Sequence, residues 1–126
     1  MADQFRDNVL PLCGLKNVGA VANRQTTLFI NHHGLTTVND MNLLEPHQAK
    51  DLVKQFSSRY PAQGLGILVQ NNLTGLIWYV KDKTRRGLPI EPLAITVDDL
   101  KDGHLAHEAY TANHDKGENI KNLKKY

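Results

Sequence analysis

The residues best equipped for chemistry in this chain are Trp78 and Tyr79, followed at once by Lys81, Lys83, Arg85 and Arg86. These four cations are offset locally only by Asp82. Cations beside two aromatic rings can grip phosphate and stack a base. Trp, Tyr and Arg are also the residues that most often anchor protein interfaces. A third role needs no ligand: cations near the end of a helix complement its dipole, each by about 0.3–1 kcal/mol. A second basic group, Lys116, Lys121, Lys124 and Lys125, lies in the C-terminal tail. The six residues from Trp78 to Arg86 therefore form a candidate surface for a protein partner, a second copy or another chain. Nucleic acid is the alternative occupant.

Other groupings carry less. His104-x-x-His107-Glu108, with His114 and Asp115 beyond, offers ligand types at helical spacing. It lacks the i, i+4 histidines and the glutamate beside the first histidine that a His-Glu-x-x-His zinc site needs, so no metal is expected. His32 and His33 fall at the end of a helix, where the dipole favours a residue able to become a cation. Cys13 is the sole cysteine, with no neighbouring His or Arg in sequence to activate it and no partner for an internal disulfide. Ser57 and Ser58 have no positioned base. Asp51, Asp82, Asp98 and Asp99 form no evident acid–base pair, and Gly64-Leu-Gly66 reads as a turn, not a phosphate cradle. The expectation is a non-enzymatic protein with no catalytic residue, cofactor or small-molecule substrate.

The elements that must position these residues are helical. The chain has 126 residues, 40% hydrophobic and 22% charged, enough for one domain with its own core. Fifteen Lys and Arg against thirteen Asp and Glu leave a net charge of +2, too small by itself to imply nucleic acid. No secretory leader and no apolar run long enough to span a membrane stands out, so a soluble, cytoplasmic protein is expected, with the nucleus as alternative and no membrane partner. Val69, Leu73, Leu76, Ile77 and Val80 line one face of a helix over about 68–86, which stops at Gly87 with Pro89 beyond. Trp78 projects roughly 150° away from that stripe. Its expected cover is Leu88, Ile90, Leu93 and a following helix that opens at Thr96-Val-Asp-Asp99.

Upstream, a short helix is expected near Pro11, then one from about Asn17 to His33 with Val18, Val21, Ala22, Leu28 and Phe29 on one side and Gly34 as its cap. Thr37 and Asp40 suit a capping box for a two-turn helix, and Glu45-Pro46 opens another that carries Ala49, Leu52, Val53 and Phe56. Ser57 to Gly66 reads as a loop, and Leu88 to Leu93 as extended chain. Gly103 is expected to interrupt the last helix, and a polar, frayed tail follows Tyr110. No period-two alternation marks a strand. The fold class is thus all-α, a compact bundle of five to six helices. Its expected parts are an N-terminal arm or short helix (1–14), a helical domain (15–110) and a Lys-rich tail (111–126), the whole cut from a longer polyprotein.

Two resemblances extend this. The order Phe29-Ile-Asn-His-His-Gly-Leu-Thr-Thr-Val-Asn-Asp-Met-Asn-Leu-Leu44, then an amphipathic helix, a loop and a long closing helix, resembles sterile-alpha-motif-like domains. Leu76-Ile-Trp-Tyr-Val-Lys-Asp-Lys-Thr-Arg-Arg-Gly-Leu-Pro-Ile90 is similar to N-terminal segments of copia-type retroelement polyproteins. The resemblance spans about residues 15–110. It implies a sterile-alpha-motif-like core with a long central or closing helix, and a Gag-like role in self-assembly or partner binding. The chain departs from a complete Gag in lacking a Cys/His zinc knuckle and an Asp-Thr/Ser-Gly protease motif.

Overall fold

The computed structural model describes the backbone of residues 4–124 and the side chains of residues 4–112. The chain begins with a π-helical turn, Phe5–Val9, that runs directly into α1, Leu10–Cys13. Pro11 fits the first turn of α1, where a backbone N–H would have no intrahelical acceptor. Gly14 ends α1 in the left-handed conformation. Phe5, Val9, Leu10 and Cys13 are all fully buried, so this short segment belongs to the core.

The helix expected from Asn17 does not begin there. Residues 15–20 form a loop, Val21–Asn23 a single 3-10 turn, and α2 spans only Gln25–His33. Val18 and Val21 mimic a helical face in sequence, yet they are 74% and 43% exposed. Polar side chains hold the loop instead. The Lys16 N–H donates to Gln25 Oε1, the Gln25 amide donates to the Gln63 carbonyl, and the Thr26 hydroxyl donates to Asn17 Oδ1. Gln25 and Thr26 are buried to make these bonds, so each group taken from water has found a partner.

From Gly34 onward the capping signals are realised, although the helix before Pro61 runs through Ser57 and Ser58 to Arg59, into the segment expected as loop. Gly34, with φ of 69°, caps α2, and the N–H groups of Gly34 and Leu35 both donate to the Ile30 carbonyl. Thr37 and Asp40 close a capping box on the 3-10 helix Val38–Leu43. The Thr36 and Thr37 N–H groups and the Thr36 hydroxyl all donate to Asp40 Oδ2, which holds the Asp40 carboxyl below its ordinary pKa. A 3-10 turn, Pro46–Gln48, leads into α3, Ala49–Arg59, whose Ala49, Leu52, Val53 and Phe56 are buried. Another such turn, Pro61–Gln63, precedes α4, Ile67–Arg85.

On α4 four of the five expected stripe residues are core: Leu73, Leu76, Ile77 and Val80 are fully buried among Phe5, Phe29, Met41, Phe56 and Leu100, while Val69 is only partly buried against them. Each such side chain stabilises the fold by about 1.5–3 kcal/mol relative to exposure. The helix ends in a Schellman motif around Gly87, φ 69°: the Gly87 N–H donates to the Thr84 carbonyl and the Leu88 N–H to that of Lys83. The crossover then makes one 3-10 turn, Pro92–Ala94, before α5, Val97–Lys124. The Thr96 N–H donates to Asp99 Oδ2 and the Asp99 N–H to the Thr96 hydroxyl, a reciprocal cap at the start of α5. The described residues contain no strand, and the protein is all-α.

Gly103 does not interrupt α5. It is buried where α5 crosses α4 at Gly75, and the two backbones touch. A β-carbon on Gly75 would overlap the Leu100 carbonyl, and one on Gly103 would overlap the carbonyl of Gly75. The two glycines let the helices approach more closely than any side chains would permit.

Candidate functional site

One turn beyond this crossing the helices carry large side chains. Trp78 projects from α4 between His107 and Tyr110 of α5, with ring centroids 5.9 Å and 5.7 Å away. His107 and Tyr110 are three residues apart on their helix, which puts them on one face. Pro46 and His47, at the start of the turn that leads into α3, close the far wall. Lys81, Asp82 and Arg85 follow Trp78 along the same side of α4 and form the rim. The result is a cleft of about 280 Å³. Its floor is aromatic and its rim is charged.

The rim ions are arranged in pairs. Lys81 Nζ donates to the Asn42 carbonyl at 3.0 Å and lies 3.5 Å from Glu45 Oε1, tying α4 to the end of the Val38–Leu43 helix. Asp82 accepts two guanidiniums, Arg85 on Oδ1 at 2.6 Å and Arg86 on Oδ2 at 2.7 Å. The arginine side chains remain 74% and 54% exposed, so these pairs add little to stability.

The six residues singled out from the sequence do not form one surface. Lys81 and Arg85 face the cleft, and Trp78 borders both the cleft and its neighbour. Tyr79, Lys83 and Arg86 turn toward a second groove of about 290 Å³, where Asp99 and Asp102 of α5 oppose them. Lys83 Nζ sits 5.5 Å from the centre of the Tyr79 ring. Burial, then the Asp99 charge, raises the Tyr79 pKa. The continuous basic patch expected from residues 81–86 is therefore divided between two faces, and acids oppose both parts.

The cover of Trp78 also differs in part from expectation. The following helix supplies it, through His107 and Tyr110, whereas Leu88 and Leu93 of the crossover stay 42% and 68% exposed. His107, Tyr110, Pro46 and His47 enter the site without having been singled out as its lining. Their one local signal is the three-residue spacing of His107 and Tyr110.

His107 is half-buried in the cleft wall. Burial lowers its pKa first, His47 and His104 lower it further, and Glu108 opposes them. Its Nδ1 is buried with no hydrogen-bond partner. Among the described residues no group of three or more His, Cys, Asp or Glu side chains is placed to hold a metal ion. Cys13 is fully buried, and burial pushes its thiol up to about 12.

A broader concavity, about 650 Å³, runs past His32, Asp51, Lys54 and Arg59. Its one ring is the exposed His32, because Phe29, His33, Phe56 and Tyr60 pack on one another. His33 lies 4.6 Å from Phe29 and His32 lies 4.8 Å from His33, while Phe56 and Tyr60 are 5.0 Å apart. Burial, reinforced by His32, lowers the His33 pKa to about 4.

Among the described residues no helix is long and apolar enough to cross a membrane. No protein-family model, curated protein or solved structure matches the chain.

Proposed function

We propose that this chain is a non-enzymatic protein-interaction module whose docking surface is the cleft between α4 and α5. One observation carries this: Trp78 and Tyr110 form an aromatic floor that is left partly open, with Arg85 standing exposed at its rim. Trp, Tyr and Arg grouped in a concave site are the residues whose burial contributes most to protein association. The occupant is a second copy of the chain or another protein. The Gag-like setting rests on the resemblance of Leu76–Ile90 alone. A nucleic-acid role draws on the exposure of Arg85 and Arg86, but Asp82 engages both, and Asp99 and Asp102 oppose Lys83 and Arg86.

Light scattering over a concentration series, together with co-precipitation of tagged and untagged copies, tests the self-association form. Trp78→Ala and Tyr110→Ala should each abolish the rise in mass, and Lys54→Ala in the broad groove should leave it intact. Mass growth indifferent to Trp78 would overturn the cleft as the docking surface. Binding of oligonucleotide whose log affinity falls against log salt with a slope of about −0.7 per phosphate contacted would favour nucleic acid.

A further inference from the structure

With both arginines exposed, the double pairing of Asp82 adds little to the fold. A carboxylate held by one arginine would be stranded if that arginine turned to a ligand. Asp82 would not be, because Arg86 already occupies its other oxygen. Arg85 can leave at small cost, and it is the arginine of the two that lines the cleft. Its side chain is also the more exposed. Guanidinium forms paired, charge-assisted hydrogen bonds with carboxylates.

We infer that the cleft receives a protein segment in which an acidic residue adjoins an aromatic or large apolar one. The apolar side chain lies over Trp78 and Tyr110, and the carboxylate takes Arg85 from Asp82. This rests on the cleft being a docking surface. Charge complementarity selects the occupant. The rim presents the cations Lys81 and Arg85. Its own acids are engaged, Glu45 by Lys81 and Asp82 by Arg86. Among the described residues that line the cleft, a basic segment would find no unpaired carboxylate. A nucleic-acid strand would need Lys83 and Arg86 as well, and these face Asp99 and Asp102 across the other groove.

The test uses the whole chain and three probes: blocked peptides Glu-Phe-Glu and Lys-Phe-Lys, and a short oligothymidylate. Trp78 is the only tryptophan and borders both the cleft and the groove of Lys83 and Arg86, so its emission reports binding at either, and the arginine variants tell the two apart. Glu-Phe-Glu should perturb that emission saturably, and Lys-Phe-Lys should not. Arg85→Ala should weaken the acidic peptide by about tenfold or more, the usual scale for a hydrogen bond to a charged group. Arg86→Ala should change it by less than about threefold, as expected of an exposed ion pair. Both arginines are exposed, and circular dichroism verifies that each variant stays folded.

Equal weakening by the two variants would overturn the exchange of partners at Asp82. Equal binding of the two peptides would overturn the acidic occupant, as would oligothymidylate binding that needs both arginines. Failure of Glu-Phe-Glu to bind while self-association remains sensitive to Trp78 would end this inference and leave the docking surface standing. Failure of both would end both.

Discussion

The α4–α5 pair holds two unlike contacts only one helical turn apart. At Gly75 and Gly103 the backbones touch, and a single β-carbon has no room. At Trp78, His107 and Tyr110 three rings meet and still leave a cleft. The first contact fixes where α5 lies. The second is open because helices drawn together at one point must separate around bulky side chains farther along. The same two helices thus supply rigidity and an opening, and the opening depends on the rigid contact.

The strongest way to break this comparison is to add a methyl group at the crossing. Glycine to alanine inside a helix ordinarily stabilises by about 1 kcal/mol. Gly75→Ala and Gly103→Ala should instead destabilise, by about 3 kcal/mol or more, because the obstruction is backbone that cannot rotate away. Urea unfolding measures it. A neutral or stabilising result for both would mean that the helices do not meet there.

Acid should have the next largest effect, and it acts outside both contacts. His33 is held near pKa 4 by burial and by His32. Its stabilising share is complete above the ordinary imidazole value of about 6.5. As pH falls below that value, the unfolded chain takes up a proton that the folded chain refuses, and stability declines until about pH 4. His33→Gln should flatten this decline in unfolding midpoints measured between those values. His107, also lowered, should change Trp78 emission within the acid range, while an unaltered circular dichroism signal would place that change in the cleft.

Trp78→Ala should separate the two contacts most cleanly. The ring is half-buried, so the stability loss should be about 1–2 kcal/mol, below that of a fully buried aromatic. Association through the cleft should be lost altogether. A loss as large as that from Gly75→Ala would make Trp78 a core residue and dissolve the distinction. The smallest effect sets the baseline: Thr37→Ala removes one cap from the Val38–Leu43 helix and should cost about 1 kcal/mol with no change in binding.

Much of the fold was legible because its signals are local. The stripe on α4, the stop at Gly87 and the boxes at Thr37–Asp40 and Thr96–Asp99 each depend on residues within a few positions. The start of α2 was misread because Val18 and Val21 satisfy a helical pattern that buried polar bonds from Gln25 and Thr26 override. Gly103 looked like a helix breaker because its partner, Gly75, lies on another element. The site was less legible for the same reason. Trp78, Lys81 and Arg85 could be found on one helix, but His47, His107 and Tyr110 reach the cleft from other elements. Splitting Lys83 and Arg86 from Arg85 required knowing where Asp99 and Asp102 lie.

The glycine contact also carries a rule of inheritance. Surface charges and loop lengths can drift while a fold persists, but neither member of this pair can gain a β-carbon without parting the helices. A distant relative that keeps the cleft must keep both glycines, with an aromatic residue three places after the first and a cleft-facing pair four and seven places after the second. Kinship with this chain would be recorded in that spacing long after overall identity had faded.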